Sequence, residues 1–140
     1  MFNGITTIMS GLPTFISWSD THSLNSNFGQ RPDLVGDPLK NIPPGLWYNP
    51  AAFANPTPYN FGNADRVVVG PHLFNASWAF WKEFRIKENI GLQLRFESFN
   101  LFNNTNRANP DGTANDSTAG VITNVLVPMR QFQFGARLSW

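Results

Sequence analysis

Cysteine is absent from this chain of 140 residues, which excludes a disulfide scaffold and any cysteine-rich metal site. Charge is scarce: Asp, Glu, Lys and Arg make up 14% of residues, and the net charge is +1. The few basic residues are dispersed, so the chain carries no electrostatic footprint for nucleic acid or an anionic surface. No stretch approaches the roughly 18 consecutive apolar residues of a membrane-spanning helix, and no long helix-type periodicity occurs. Residues 1–20 have neither a positive n-region nor an unbroken apolar core, so no signal peptide is read there. For an exported protein, that absence leads to the expectation of a fragment. G-x-S-x-G, G-x-G-x-x-G, P-loop and H-E-x-x-H patterns are all missing.

Aromatics are plentiful, at 14% with 13 Phe, and Gly and Pro contribute 11 residues each. That balance reads as β-strands joined by long polar loops. The clearest strand is Arg130 to Trp140. Phe132, Phe134, Ala136, Leu138 and Trp140 fall on one side; Gln131, Gln133, Gly135, Arg137 and Ser139 fall on the other. Its length suits a tilted strand crossing a bilayer, roughly 9–11 residues. An indole at its end suits a bilayer–water interface.

Three further strands are expected. The first is Phe2 to Ser10, interrupted by Gly11-Leu12-Pro13 and continued by Thr14 to Ser19. The second is Ser77 to Ile86 and the third Ile90 to about Asn103, joined by the tight turn Lys87-Glu88-Asn89. Between them, Asp20 to about Asn75 is rich in Asn, Pro and Gly, and its prolines forbid long ladders. A helical turn at Pro50–Ala54 and a short strand at Arg66–Gly70 are its candidate local elements. Asn104 to Met129 is a second polar loop, with a turn at Asn109-Pro110-Asp111-Gly112 and brief pairing expected for Val121 to Val127. Pairing across the turn sets Ile86 opposite Ile90, Phe84 opposite Leu92 and Phe80 opposite Phe96, with Trp78 towards the far end. On the other face, Glu83 and Arg95 become diagonal neighbours within reach of an ion pair. Lys82 falls on the apolar face opposite Leu94, where a charge at mid-membrane costs roughly 2–4 kcal/mol. Either it snorkels, or a bulge near Trp81 turns it inward.

The alternating strand closed by an aromatic is similar to the terminal signal of bacterial outer-membrane β-barrels. Leu92-Gln93-Leu94-Arg95-Phe96-Glu97-Ser98-Phe99-Asn100-Leu101-Phe102-Asn103 resembles a strand of TonB-dependent receptors, most nearly the Oar-like branch with a carboxypeptidase-regulatory-like domain. Gln30 to Pro38 resembles a loop of the same branch. The resemblance implies an all-β fold, an antiparallel transmembrane barrel, of which residues 1–140 are a C-terminal segment without plug or N-terminal strands. It implies the outer membrane of a Gram-negative bacterium and TonB-driven uptake of a solute. The implied partners are outer-membrane lipid, the rest of the barrel and plug, the barrel-assembly machinery and, indirectly, the TonB system. Phe132, Phe134, Leu138 and Trp140 would carry the assembly signal. Long loops outside and short turns inside fit the strand order if Trp140 is periplasmic.

Glu83, Arg85, Arg95, Glu97, Gln133 and Arg137 are the candidate lumen-facing polar residues, either a hydrated wall or part of a solute path. His22 and His72 are isolated in loops and lack converging ligands. Asp111 to Asp116 lacks the spacing of a calcium loop. Asp33, Asp37, Glu83, Glu88 and Glu97 form no acid–base pair. The expectation is therefore no enzyme, no metal, no cofactor and no nucleic acid. The alternative from a different class is a secreted β-sandwich binding module, with Trp18, Trp47, Tyr48 and Trp78 as a carbohydrate platform.

Overall fold

A computed structural model describes residues 1–19 and 30–140. Among these residues are eight strands: β1 (Phe2–Met9), β2 (Pro13–Thr14), β3 (Asp33–Leu34), β4 (Phe53–Ala54), β5 (Val68–Val69), β6 (Leu73–Lys87), β7 (Ile90–Phe99) and β8 (Gln131–Ser139). They fall in two compact units.

The first unit comprises Met1–Ser10, His72–Asn106 and Val125–Trp140. It is one antiparallel sheet in the order β1-β6-β7-β8, and it is open: β1 and β8 are edges. Strands β6 and β7 form a hairpin across Glu88–Asn89. Both long connections leave the sheet at its opposite end. The register places Phe80, Phe96 and Phe134 in one row, and Phe84, Leu92 and Leu138 in another. A side-chain period of two then keeps the apolar set on one face throughout.

Several expectations need correcting. Ile86 does not meet Ile90. The register shifts between Arg85 and Lys87, so Lys87 pairs with Ile90 and Ile86 is the extra residue of a bulge beside the turn. Strand β6 starts at Leu73, four residues before the alternation becomes clear, because β1 supplies a partner as far as Met9–Leu73. Strand β7 ends at Phe99 rather than Asn103: Asn100 and Asn103 take positive φ values of 50° and 54°, which turn the chain out of the ladder. Val121 to Val127 forms no strand but makes the brief pairing expected of it, with Asp111 N–H donating to the Val121 carbonyl and Leu126 N–H to the Asn106 carbonyl.

The second unit comprises Gly11–Pro71 and Arg107–Asn124. The sequence reads here as loop, yet it has a core of Ile16, Tyr48, Ala52, Phe53, Ala64, Val68 and Ala114, with Trp18, Leu34, Trp47 and Val67 packed against it. Thr14 to Ser19 belongs to this unit and does not continue β1. Pro13–Thr14 pairs with Val68–Val69, and Ser17 donates its N–H to the Gly112 carbonyl. A Cβ at Gly11 would collide with the Gly70 carbonyl, so this approach of two backbones requires glycine. Strands β3 and β4 pair over two residues, and Pro50–Ala52 is a single 3-10 turn capped by the Asn49 side chain. Side chains close what the broken ladders leave open. Leu34 N–H donates to Asn63 Oδ1 (2.7 Å), and Trp47 Nε1–H to the Val69 carbonyl (2.8 Å). Short ladders with side-chain closure are how a proline-rich chain satisfies its backbone.

Candidate functional site

Alternation along β6, β7 and β8 brings Glu83, Arg85, Arg95, Glu97, Gln133 and Arg137 to one face of the sheet. They form rows: Arg85, Gly91 and Ser139; Glu83, Gln93 and Arg137; Trp81, Arg95 and Gly135; Ala79, Glu97 and Gln133. The expected Glu83–Arg95 pair is not made. Arg95 turns along its own strand to Glu97, with Nη2 2.6 Å and Nε 3.0 Å from Oε1, and lies 5.8 Å from the Trp81 ring. Glu83 instead accepts from Gln93 Nε2 at 2.9 Å. Same-strand neighbours two apart share a face, and Arg95 is long enough to reach either carboxylate; Trp81 beside it favours the flatter path. Arg85 and Arg137 have no ion-pair partner among the described residues. Pairing across the turn already sets Trp81 opposite Arg95 and Gln93 opposite Glu83, as observed; the contacts those side chains make were not legible.

The opposite face is apolar and open. Phe132, Phe134 and Leu138 are 52%, 79% and 52% exposed, and Phe2, Ile8, Phe80, Phe84 and Leu94 are exposed as well. Of the buried apolar residues among those described, only Ala76 lies in the sheet; the others belong to the second unit. A water-soluble protein distributes these the other way round, since burying apolar surface drives its folding. Lys82 remains on this face, because the register runs unbroken from Trp78 to Arg85. No bulge near Trp81 turns it inward, and its ammonium lies 5.0 Å from the Phe84 ring centre.

A third feature, missed in the sequence, is an asparagine cluster where β7 ends. Asn100 is 1% exposed; its Nδ2 donates to the Asn104 and Pro128 carbonyls, both at 3.0 Å, and its Oδ1 accepts from Asn104 N–H at 3.1 Å. Asn103 Oδ1 accepts from Arg130 N–H at 3.0 Å, and Asn106 Oδ1 from Phe74 N–H at 2.9 Å. One tight turn therefore ties the end of β7 to the starts of β6 and β8. Asn tolerates positive φ and bonds locally to backbone, which is why it recurs in Phe99-Asn100-Leu101-Phe102-Asn103-Asn104.

A family model described as outer membrane beta barrel domain matches residues 1–133. The chain belongs to the outer-membrane β-barrel domain family. No curated protein and no solved structure matches it. Family membership gives the geometry its solvent: the exposed apolar face of this barrel domain meets the lipid of the bacterial outer membrane. The dimensions agree. Ten residues separate Phe74 from Phe84 on β6, and at the rise and tilt of barrel strands they span about 25 Å of membrane normal, the height of an outer-membrane apolar band. Phe74, Phe102 and Trp78 cluster towards the loop end of that band, with ring centres 5.8–6.2 Å apart. Trp140, 90% exposed, follows β8 at the turn end. Aromatics at both margins are the girdles of this barrel class.

The sandwich alternative fails against this family and this single open sheet. Its carbohydrate platform fails separately: Tyr48 is fully buried, and Trp18 and Trp47 pack against the same core. Tyr48 donates its hydroxyl to the Asp111 carbonyl at 2.9 Å, and its phenol is pushed up to about 12 by burial and then by the Asp111 charge. Asp111 is held below the usual carboxylate range by bonds from the Thr118 hydroxyl (2.5 Å) and the Thr113 N–H (2.9 Å). Its side chain thus closes the turn 111–118. His22 lies outside the described residues, and among those described no group of acidic or His residues is placed to hold a metal.

Proposed function

We propose that this barrel domain is the C-terminal wall of a TonB-dependent receptor that takes up a solute across the outer membrane, with the plug and remaining strands elsewhere in the full-length protein. The observation that carries the reading is the mismatch between four strands and the loops they bear. Small closed barrels need about 8 strands and large plugged transporters about 22. A connection that folds its own core, as residues 11–71 do with 107–124, is in keeping with the large class. The resemblance of Leu92 to Asn103 to the Oar-like branch points the same way. In this reading Glu83, Arg85, Arg95, Glu97, Gln133 and Arg137 line the lumen, and Arg85 and Arg137 are its available cations. Phe132, Phe134, Leu138 and Trp140 present the assembly signal, and the role is transport rather than catalysis.

The test is cross-linking in outer-membrane preparations. The full-length protein should cross-link to the periplasmic domain of TonB, and solute accumulation through it should cease when TonB is depleted. Passage of small solutes that persists without TonB, through a barrel of about eight strands, would contradict the proposal.

A further inference from the structure

Between the Phe74 and Phe84 rows, the apolar face of β6, β7 and β8 carries one charged side chain, Lys82. No carboxylate shares that face, so the ammonium has no counter-charge there. Its row is Lys82, Leu94 and Ala136. Ala136 is the smallest side chain in the band around it, and the row sinks into a groove lined by Phe80, Lys82, Leu94, Phe96, Phe134 and Ala136. Lys82 stands two residues inside the Phe84 row, about 5 Å from the turn-side margin of the apolar band. Its ammonium leans back towards that margin, over the Phe84 ring. A lysine stem reaches about 6 Å, so the charge arrives at headgroup level while its methylenes stay in the groove. Ionisable groups on membrane strands are costly and persist where a partner repays them.

We propose that Lys82 and this groove form a phospholipid site on the outer wall of the barrel. The ammonium holds the phosphate of a net-anionic phospholipid in the leaflet on the hairpin-turn side, which is the periplasmic leaflet of such barrels. One acyl chain lies along Leu94 and Ala136 against the phenylalanine rings. Charge complementarity selects the headgroup, because a zwitterionic lipid brings its own amine to the phosphate. The site depends on outer-membrane barrel membership alone, and holds whether or not the protein is a TonB-dependent receptor.

The experiment is native mass spectrometry of the full-length protein in detergent, titrated with phosphatidylglycerol and, separately, phosphatidylethanolamine. Lys82→Met should weaken phosphatidylglycerol binding about fivefold, the share of one basic side chain at an anionic lipid surface. Ala136→Phe should fill the groove and weaken it to a similar degree with the lysine intact. Lys40→Met, an exposed lysine of the second unit, should leave it unchanged. Heat-modifiable mobility on gels verifies that each variant has folded. Equal lipid retention by Lys82→Met, or equal loss in Lys40→Met, overturns the proposal. So does equal affinity for the two lipids. A wild-type dimer that dissociates on Lys82→Met would assign the groove to a second copy instead.

Discussion

A positive charge at position 134 and the same charge at position 133 meet different surroundings, because neighbouring residues on β8 face opposite sides of the sheet. Phe134 shares a row with Phe96 and Phe80, four residues inside the Phe84 row, and so sits near mid-band. Phe134→Arg should cost roughly 2–4 kcal/mol there, against little for Gln133→Arg on the polar face. Membrane levels of the full-length variants measure this; equal levels would contradict the assignment of faces. Tyr48 offers a second test. Its folded pKa is raised above the ordinary value near 10, so its contribution to stability is complete below about pH 10 and declines as pH rises towards about 12. The 295-nm absorbance titration of the protein minus that of Tyr48→Phe should show one phenolate forming near pH 12. A difference curve centred near 10 would mean that Tyr48 is not buried. Asp111 has the opposite sense: its lowered pKa contributes stability above the ordinary carboxylate range, lost as pH falls through the folded value.

Among the elements, the membrane strands were legible in the sequence; of the second unit, the turn at Pro50–Ala52 and the strand Val68–Val69 were legible and the core was not. Strict alternation from Gln131 to Ser139, and the turn at Glu88–Asn89, fix face and register locally, so Phe84–Leu92 and Phe80–Phe96 could be read without a structure. Three local effects defeated the reading. A bulge one residue from the turn displaced Ile86, and paired asparagines at positive φ ended β7 early. Arg95 chose Glu97 over Glu83, a rotamer preference that periodicity does not encode. The loop core escaped detection for a different reason. Ile16, Tyr48, Phe53, Val68 and Ala114 are single apolar residues scattered among prolines, with ladders two residues long, so no period exists to be found. The asparagine turn carries its own prediction. Asn100→Ala loses two donated bonds and one accepted bond, and places alanine at positive φ, together roughly 2–4 kcal/mol. Asn100→Gly keeps the backbone and should recover part of that loss, read as the heat-modification temperature. Equal behaviour of wild type and Asn100→Ala would show that the cluster ties nothing down. Deletion of Trp140 separates anchoring from recognition. Removing one interfacial indole lowers stability by about 2–3 kcal/mol at most, which a large barrel tolerates. A recognition role predicts loss of surface protein, with normal gel mobility in what does assemble; normal surface levels at low expression would leave anchoring as its only role.

At the scale of the molecule, one inversion organises the rest: the sheet exposes an apolar face, and the buried apolar core lies in the connecting segments. In water such a sheet, with two free edges and an aromatic face, invites aggregation. In a membrane the same face is solvated by lipid, and the cores of the connections do not depend on it. The absence of cysteine makes this claim directly measurable. Single cysteines at 131–139 of the full-length protein, spin-labelled in outer-membrane vesicles, report collisions with oxygen from the lipid and with a nickel chelate from water. The account predicts an alternation of period two, with oxygen dominant at 132, 134, 136 and 138 and the chelate dominant at 131, 133 and 137. A profile without alternation, or with the two reagents exchanged, would contradict it.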